Sequence, residues 1–291
     1  MLKDYQKILF PYAYNILGSS EDARDAVQEV FSNFIAQQRG EGIENIKGYL
    51  IKSVVNHSIN IKTRKKTIGI DRVWLPEPFA TEEADTNVNM RDIASYSLLV
   101  LLEQLNPKER AVFILKESFD YSHQEIADVL SSTEDHSRKL LSRAKQKLQE
   151  LKGKASASSH QVSRDFLEKY IDAIRQRDMK SLESILTDDI SFYADGGDKL
   201  QVVKKKCIGA VEVADLLVFV HHKFHTTFSI ALSEINHQPA LLYYNGPKLI
   251  VCQVLGVSTD PLKIHQINNI IDPDKLQFLT HLPSVMLTPS K

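Results

Sequence analysis

The apolar residues of this 291-residue chain change their spacing once, and that change divides the chain into two parts. Up to about residue 151 they recur every three or four positions, as in amphipathic helices, whereas beyond residue 160 they often alternate, as in strands. The segment between them, residues 152–160 (KGKASASSH), is small and polar and has no apolar period. We therefore predict a helical N-terminal part, a boundary at this segment, and a C-terminal α+β domain of about 130 residues.

Three helices are predicted before about residue 66. An apolar stripe from Tyr5 to Leu17 ends at Gly18, a residue that commonly ends helices. Ser20 is expected to cap the second helix, and the third follows Asn45. This spacing predicts an all-α module.

Two capping boxes mark helix starts further along the chain. Asn106-Pro107-Lys108-Glu109 and Ser122-His123-Gln124-Glu125 each place a capping side chain three residues before a Glu. The second opens a short helix over 122–130, and a three-residue break separates it from a longer helix over about 133–149. Such a pair has the proportions of a helix-turn-helix, whose second helix enters the major groove of DNA.

The stretch Trp74-Leu75-Pro76-Glu77-Pro78 interrupts the helical period. Two prolines force an extended path, and the residues before them avoid the α conformation. Trp74 and Leu75 are large apolar groups, which we expect to dock onto the nearest domain. Residues 75–92 carry one basic and five acidic residues, a local charge of −4, so this segment is predicted to be an acidic linker.

The net charge of −1 argues at first against nucleic acid, but the charge is distributed unevenly. Residues 47–72 hold seven basic residues and one acid (+6), residues 136–152 hold six and one (+5), and residues 153–291 are neutral with 15 of each. Each basic stretch by itself also fits a solvated helix, and that alternative stays open. Two basic helices favour salt-sensitive phosphate contacts.

The C-terminal part is predicted to contain helices followed by an antiparallel sheet. Helices are expected around 166–174, 182–186 and 210–220, and strands over 190–194, 200–206, 226–235, 240–244, 249–257 and 262–271. Asn245-Gly246 is the preferred pair of a type I′ hairpin.

Several chemistries are not expected. Cys207 and Cys252 form no metal-binding pair, and no apolar stretch approaches the ~20 residues of a membrane span, so we expect a cytoplasmic protein. His221, His222 and His225 lack nearby Cys or acidic ligands, so no metal and no cofactor are predicted. Tyr193 and Asp195, at the end of a predicted strand, are candidates for acid–base chemistry, but we expect no turnover.

The motifs together resemble the extracytoplasmic-function (ECF) sigma factors of bacterial RNA polymerase. AYNILGSSEDARDAVQEVF and GYLIKSVVNHSINIKTRKK are similar to sigma region 2, and LEQLNPKERAVFILKESFDYSHQEIADVLSSTEDHSRKLLSRAKQKL is similar to region 4. WLPEP, DGGDK at 195–199 and DPDKL at 272–276 are similar to the ECF group with a C-terminal SnoaL-like extension. In that group the extension regulates in cis, contacting the sigma regions and the linker.

The resemblance implies a multidomain chain: two all-α domains, the second a helix-turn-helix, and a SnoaL-like α+β cone. The implied domains are region 2 over 1–70, a linker over 71–93, region 4 over 94–152 and the regulatory domain over 160–291. The implied partners are core RNA polymerase, through its β and β′ subunits, and promoter DNA, as a −35 duplex and a −10 single strand.

The resemblance also implies roles for individual residues. Polymerase binding falls on Asp22, Asp25, Gln28, Glu29 and Phe31. Capture of the −10 element falls on Lys52, Asn56, His57, Asn60, Arg64, Lys65 and Lys66. Reading of the −35 element falls on Ser122, Gln124, Glu134, Asp135, His136, Arg138, Lys139, Arg143 and Lys147. Interdomain regulation falls on Trp74, Leu75, Pro76, Glu77, Pro78, Asp195, Gly196, Gly197, Asp198, Lys199, Asp272, Pro273, Asp274, Lys275 and Leu276.

The chain departs from the family pattern at three places. Asn60 and Thr63 replace Asp and Arg, which leaves the promoter preference open, and Asp198 stands where Gly is usual. Asp272 replaces Asn at an expected cap or turn. On the family pattern, Asp198 and Lys199 are the expected polar contact between domains.

Two other functions stay open from the residues alone. One is a helix-turn-helix regulator that binds duplex DNA by itself, with the cone sensing a small molecule. The other is a cyclase- or isomerase-type enzyme fused to a DNA-binding module.

Overall fold

A computed structural model describes residues 2–36, 43–66, 74–81, 90–151, 162–198, 200, 207–279 and 285–287. The chain forms two compact units. The first comprises residues 1–70, 84–94 and 98–153, and the second comprises residues 71–83, 95–97 and 154–291. The linker sequence WLPEP thus belongs to the second unit, together with the C-terminal residues.

The first unit is helical, and both basic helices lie in it. Its helices are α1 Leu2–Leu17, α2 Ser20–Ala36, α3 Ile46–Lys66, α4 Tyr96–Leu102, α5 Pro107–Glu117, α6 His123–Leu130 and α7 Glu134–Leu151. The first two residues of α4 belong to the second unit. Helix α1 is central, because it packs on α2, α3 and α5. From Leu9 to Leu17 its apolar stripe is buried, and Leu9 and Ile16, like Leu50 on α3, are fully inaccessible to solvent.

Local hydrogen bonds confirm most of the predicted helix starts. Asn106 and Ser122 each form a complete capping box, and the Asn45 side chain accepts from the Gly48 amide at 2.8 Å. The predicted cap at Ser20 is wrong by one residue. Gly18 ends α1 with φ of 75°, and Ser19 then caps α2, its Oγ accepting from the Asp22 amide at 3.1 Å.

The second unit is an α+β domain, as predicted. Its helices are α8 Arg164–Gln176, α9 Met179–Ile185, α10 Ala210–Val220 and α11 Pro273–Leu276, with one π-helical turn at His221–His225. Its strands are β1 Leu186–Asp195, β2 Cys207–Ile208, β3 Ser229–Ile235, β4 Gln238–Asn245, β5 Lys248–Thr259, β6 Leu262–Ile270 and β7 Val285–Leu287. They form one sheet in the order β2-β1-β6-β5-β4-β3-β7. Of the strand predicted over 200–206, Leu200 is not in a strand and the rest lies outside the described residues.

The sheet is not wholly antiparallel, which corrects the sequence prediction. Strands β3 to β6 form an antiparallel meander, but β1 pairs in parallel with β6. The connection from β1 through α10 and the meander returns β6 beside β1 in the same direction. The carboxyl ends of these two strands therefore meet at one edge of the sheet.

The type I′ turn predicted at Asn245-Gly246 lies elsewhere in the structure. Asn245 pairs with Lys248, so the β4–β5 turn is Gly246-Pro247, and Pro cannot adopt the second positive φ of a type I′ turn. Instead, Asn236 and His237 have φ of 48° and 60°, the values of a type I′ turn, between β3 and β4.

The core of the second unit lies between the sheet and helices α8, α9 and α10. Tyr170, Leu182, Val213, Leu241 and Leu255 are among its most buried residues. Within the described ranges, no helix has the length and apolar character needed to cross a membrane.

Candidate linker-binding site and candidate DNA-binding helices

The two C-terminal motifs meet because β1 and β6 are parallel neighbours. Asp195 is the last residue of β1 and lies opposite Ile270, the last residue of β6. Its carbonyl oxygen accepts hydrogen bonds from the amides of Ile271 and Asp272 at 2.8 and 3.1 Å. The described residues that follow the two strands, 196–198 and 271–276, therefore lie side by side.

Gly197 allows the two segments to approach closely. Its φ is 61°, and a Cβ at this position would collide with the carboxylate of Asp272. The Gly197 amide donates to Oδ1 of Asp195 at 2.9 Å. Asp272 caps α11, accepting from the Asp274 amide at 3.1 Å, as expected from its position in the sequence.

A buried ion pair in this corner binds the backbone of the linker. Nζ of Lys275 lies 2.7 Å from Oδ2 of Asp195, and these side chains are 8% and 5% exposed. The Leu75 amide donates to the same Asp195 oxygen at 2.7 Å, and Nζ of Lys275 donates to the Leu75 carbonyl at 2.5 Å. Each charged group thus makes one bond to its partner and one to the same linker residue.

The side chains around Leu75 strengthen this attachment. Nζ of Lys275 lies 4.2 Å from the centre of the Trp74 ring, a cation–π arrangement. Leu75 is fully buried, as its apolar character predicts, and the Tyr96 hydroxyl donates to the Pro76 carbonyl at 2.7 Å. Trp74, Leu75 and Pro76 are therefore all held by polar or apolar contacts within the second unit.

The next linker residues pair with the β3–β4 turn, a contact that the sequence reasoning missed. The Phe79 amide donates to Oδ1 of Asn236 at 2.9 Å, and the Asn236 amide donates to the Phe79 carbonyl at 2.9 Å. Ala80 forms an antiparallel bridge with Ile235. The available signal was Asn236 itself, a residue that tolerates the positive φ of a tight turn.

The contact between linker and motifs differs from the expected one. The buried polar contact is formed by Asp195 and Lys275, whereas Asp198 is exposed and Lys199 lies outside the described residues. Among the other motif residues, Pro78, Gly196, Asp272 and Leu276 are buried, Glu77 is half-buried, and Pro273 and Asp274 are exposed.

Helix α2 carries the acidic surface expected to bind polymerase. Asp25, Gln28 and Glu29 are exposed, and Asp22 is half-buried. Phe31 does not belong to this surface, because it packs in the core of the first unit with 6% of its area exposed.

Helix α3 carries the residues expected to capture the −10 element. Lys52, Asn60, Arg64 and Lys65 are exposed, Asn56 and His57 are half-buried, and the side chain of Lys66 lies outside the described residues. Two of these basic groups face acids of α2, since Lys65 lies 2.5 Å from Asp22 and His57 lies 3.3 Å from Glu29.

Helices α6 and α7 form the predicted helix-turn-helix, with Ser131 in the left-handed conformation between them. Nearly all of the expected −35 residues are exposed: Ser122, Gln124, Asp135, His136, Arg138, Lys139, Arg143 and Lys147, with Glu134 half-buried. Arg138 pairs with Glu134 and Asp135 of its own helix, and Lys147 pairs with Glu109 at 2.7 Å.

The cone of the second unit contains a pocket away from the linker contact. It has a volume of about 300 Å³ including open solvent, and its lining includes Leu217, Tyr243, Gln253 and Asn269. Burial lowers the pKa of His221, which also lines it, to about 4, so that imidazole is neutral near pH 7. Asp195 is not among the lining residues.

The described residues contain no cluster of three or more His, Cys, Asp or Glu side chains able to hold a metal ion. The acid–base role considered for Asp195 does not fit its position. Both oxygens of its carboxylate accept hydrogen bonds, from Leu75, Lys275 and the Gly197 amide.

Trp74 is the only tryptophan in the chain, so its fluorescence reports on the linker contact. Asp195→Asn leaves Lys275 buried without a counter-charge, and loss of one partner of a buried pair costs about 3 to 5 kcal/mol. We expect Asp195→Asn and Lys275→Met each to shift Trp74 emission to longer wavelength, because residues 74–76 leave the site. Emission spectra of the full chain measure this.

Asp188→Asn is the matched control, since Asp188 is an exposed residue of the same strand. It should leave the emission unchanged. Spectra of the Asp195→Asn and Lys275→Met chains that coincide with that of the unmodified chain would contradict the described contact.

Comparisons with known proteins agree with this architecture. Residues 95–148 match the family model "Sigma-70, region 4". The chain is 27% identical over 281 residues to a Mycobacterium tuberculosis protein named "Probable ECF RNA polymerase sigma factor SigI", covering 94% of this chain and 92% of that one. It is 25% identical over 291 residues to ECF RNA polymerase sigma factor SigJ of M. tuberculosis, covering 92% and 89% of the two chains.

The crystal structure of M. tuberculosis SigJ has the same fold. It matches with a TM-score of 0.74 at 20% identity, covering 94% of this chain and 96% of that one. The resemblance expected from WLPEP and the region 4 sequence is therefore confirmed. The chain is therefore similar to ECF sigma factors over most of its length, contains a sigma-70 region 4 domain at residues 95–148 and shares the fold of SigJ.

Proposed function

We propose that this protein is a sigma factor that directs core RNA polymerase to specific promoters for transcription initiation. The observation that carries this proposal is the region 4 domain at 95–148, in which α6 and α7 form a helix-turn-helix with exposed basic side chains. Homology to ECF sigma factors over nearly the whole chain supports it. The protein acts in the cytoplasm, where bacterial RNA polymerase works.

Three exposed surfaces, on α2, α3 and α7, each bind a different partner. Asp22, Asp25, Gln28 and Glu29 on α2 bind the polymerase β′ subunit, with further contacts to β. Helix α3 captures the −10 single strand, its bases meeting Asn56, His57 and Asn60. Helix α7 enters the major groove of the −35 duplex, where its basic residues contact phosphate and its first turn meets base edges. The functional domains are region 2 over 1–70, the linker over 71–93 and region 4 over 94–152.

The C-terminal domain, over 160–291, regulates in cis through the linker. Region 2 and region 4 are joined by the linker, so a domain that binds the linker biases how those regions can be placed. The Asp195–Lys275 pair binds Leu75 through its peptide groups, and Asn236 binds Phe79. Release of this contact is the regulatory step, a shift between two states of the linker.

Catalysis is not part of this function. The relatives are sigma factors, and the carboxylate of Asp195 is occupied by the linker and not directed into the pocket. The pocket is instead the proposed place for a small, neutral, largely apolar ligand, oriented by Tyr243, Gln253 and Asn269.

Run-off transcription with purified core polymerase tests the sigma assignment. The full chain and a chain ending at residue 152 should both give promoter-dependent transcripts, in different amounts because the truncation removes the domain that binds the linker. Absence of a transcript from both would contradict the assignment. Footprinting without polymerase separates the stand-alone regulator, which would protect the promoter strongly by itself.

Salt dependence tests the role of the basic helix α7. Arg138→Ala and Arg143→Ala should weaken holoenzyme binding to a −35 duplex and reduce the slope of log affinity against log salt by about one per lost phosphate contact. Arg164→Ala removes an exposed arginine of the second unit and is the matched control. A slope that is the same in all three variants and in the unmodified chain would place the arginines away from DNA.

A further inference from the structure

A buried cluster of charges joins α3 to region 4 inside the first unit. Nζ of Lys62, on α3, lies 2.8 Å from Oε2 of Glu103 and donates to the Leu17 carbonyl at 2.8 Å. Arg110, on α5, is completely buried, pairs with the same Glu103 carboxylate, and donates through Nε to the Asn15 carbonyl at 2.7 Å. One carboxylate therefore holds two cations from the two DNA-reading parts of the chain.

The two basic groups of this cluster share the carboxylate of Glu103. Nη2 of Arg110 has no hydrogen-bond partner within the described residues. Burial, with Arg110 nearby, lowers the pKa of Lys62 to about 7 despite the attraction of Glu103. Burial alone would raise the pKa of Glu103, but Arg110 and Lys62 together lower it. The carboxylate is thus the group on which both buried cations depend.

Two of the residues expected to capture the −10 element are also engaged by region 4. Nζ of Lys52 donates to the Asp128 carbonyl at 2.6 Å, and Nδ2 of Asn56 donates to the Val129 carbonyl at 2.7 Å. These carbonyls lie at the C-terminal end of α6, where a cation and an amide satisfy unpaired acceptors. Lys52 and Asn56 thus cap a helix of the −35 reader.

In this arrangement, α3 and the helix-turn-helix are too close together to bind both promoter elements at once. The −35 and −10 elements are centred roughly 25 base pairs apart, about 85 Å of duplex at 3.4 Å per step. In the first unit, α3, expected to bind the −10 element, and α6, part of the −35-binding helix-turn-helix, are in hydrogen-bond contact. They cannot reach both elements until α3 separates from α6 and from Glu103.

We propose that Glu103 is an internal anion that holds the two DNA-reading parts closed by binding Lys62 in place of a promoter phosphate. On opening, Glu103 stays with Arg110, because both belong to region 4, and Lys62 becomes available to a DNA phosphate. Lys62 is thereby added to the residues that capture the −10 strand. This inference rests on the proposed sigma function.

An aromatic contact also joins α1 to region 4. The ring of Tyr12, on α1, stacks on Phe119 with centroids 3.8 Å apart and planes at 9°. This contact does not depend on Glu103. Loss of the carboxylate therefore weakens the closed arrangement without removing every contact that maintains it.

Fluorescence energy transfer within the full chain tests the proposal. Dyes are placed on Lys47→Cys and Gln149→Cys, exposed positions in region 2 and region 4, in a chain carrying Cys207→Ser and Cys252→Ala. Glu103→Gln should raise the open fraction about tenfold, because two buried cations lose their counter-charge, and transfer efficiency should fall. It should also lower the concentration of chain that gives half-maximal run-off transcription. Core polymerase and promoter DNA should lower the transfer efficiency of the unmodified chain.

Glu117→Gln is the matched control, since Glu117 forms an exposed pair with Lys145 inside region 4. It should change neither transfer nor transcription. Unchanged transfer in Glu103→Gln, or in the unmodified holoenzyme on promoter DNA, would overturn the proposal. Absence of transcript from every form would instead contradict the sigma function, while transfer in the isolated chain still tests the contact.

If Glu103→Gln lowers the helical circular dichroism signal, the variant has disturbed the fold, and a second variant then tests the proposal. The combined change Lys62→Met, Glu103→Leu and Arg110→Met replaces the cluster with apolar groups of similar size, which often preserves or increases stability. The chain should stay closed and transcribe less than the unmodified chain. An open chain, or one that transcribes normally, would overturn the proposal.

Discussion

The buried ion pair between Asp195 and Lys275 binds the linker within the second unit, and the other linker contacts depend on it. It exists because β1 and β6 run in parallel, which brings a carboxylate at the end of one strand beside an amine on the helix that follows the other. Buried charges require further hydrogen bonds, and here the peptide groups of Leu75 supply them. The linker is therefore part of the polar network that makes this corner of the fold stable.

Acids are also paired with basic residues on the two helices proposed to bind DNA. On α3 and α7 these pairs are Lys62 with Glu103, Lys65 with Asp22, Arg138 with Glu134 and Lys147 with Glu109. On the proposed function, promoter phosphates compete with these carboxylates. We therefore expect the isolated chain to bind free promoter weakly and to need polymerase to separate α3 from α6.

Features that depend on interactions between residues a few positions apart could be predicted from the sequence. The boxes at Asn106 and Ser122 and the cap at Asp272 depend on hydrogen bonds spanning two or three positions, and all three were predicted. The parallel pairing of β1 with β6 depends on strands about 75 residues apart, which no local pattern encodes. Asp198 and Lys199 were therefore expected to form the polar interdomain contact. The pairing instead brings Asp195 and Lys275, both also expected among the interdomain residues, to the linker.

Amide hydrogen exchange at Leu75 measures the central contact directly, because that amide donates to Asp195 in the isolated chain. We expect slow exchange in the isolated full chain and faster exchange once the chain is assembled with core polymerase and promoter DNA. Exchange in the isolated chain as fast as in its Asp195→Asn variant would contradict the contact. Equally slow exchange in the isolated chain and in the promoter complex would contradict its release.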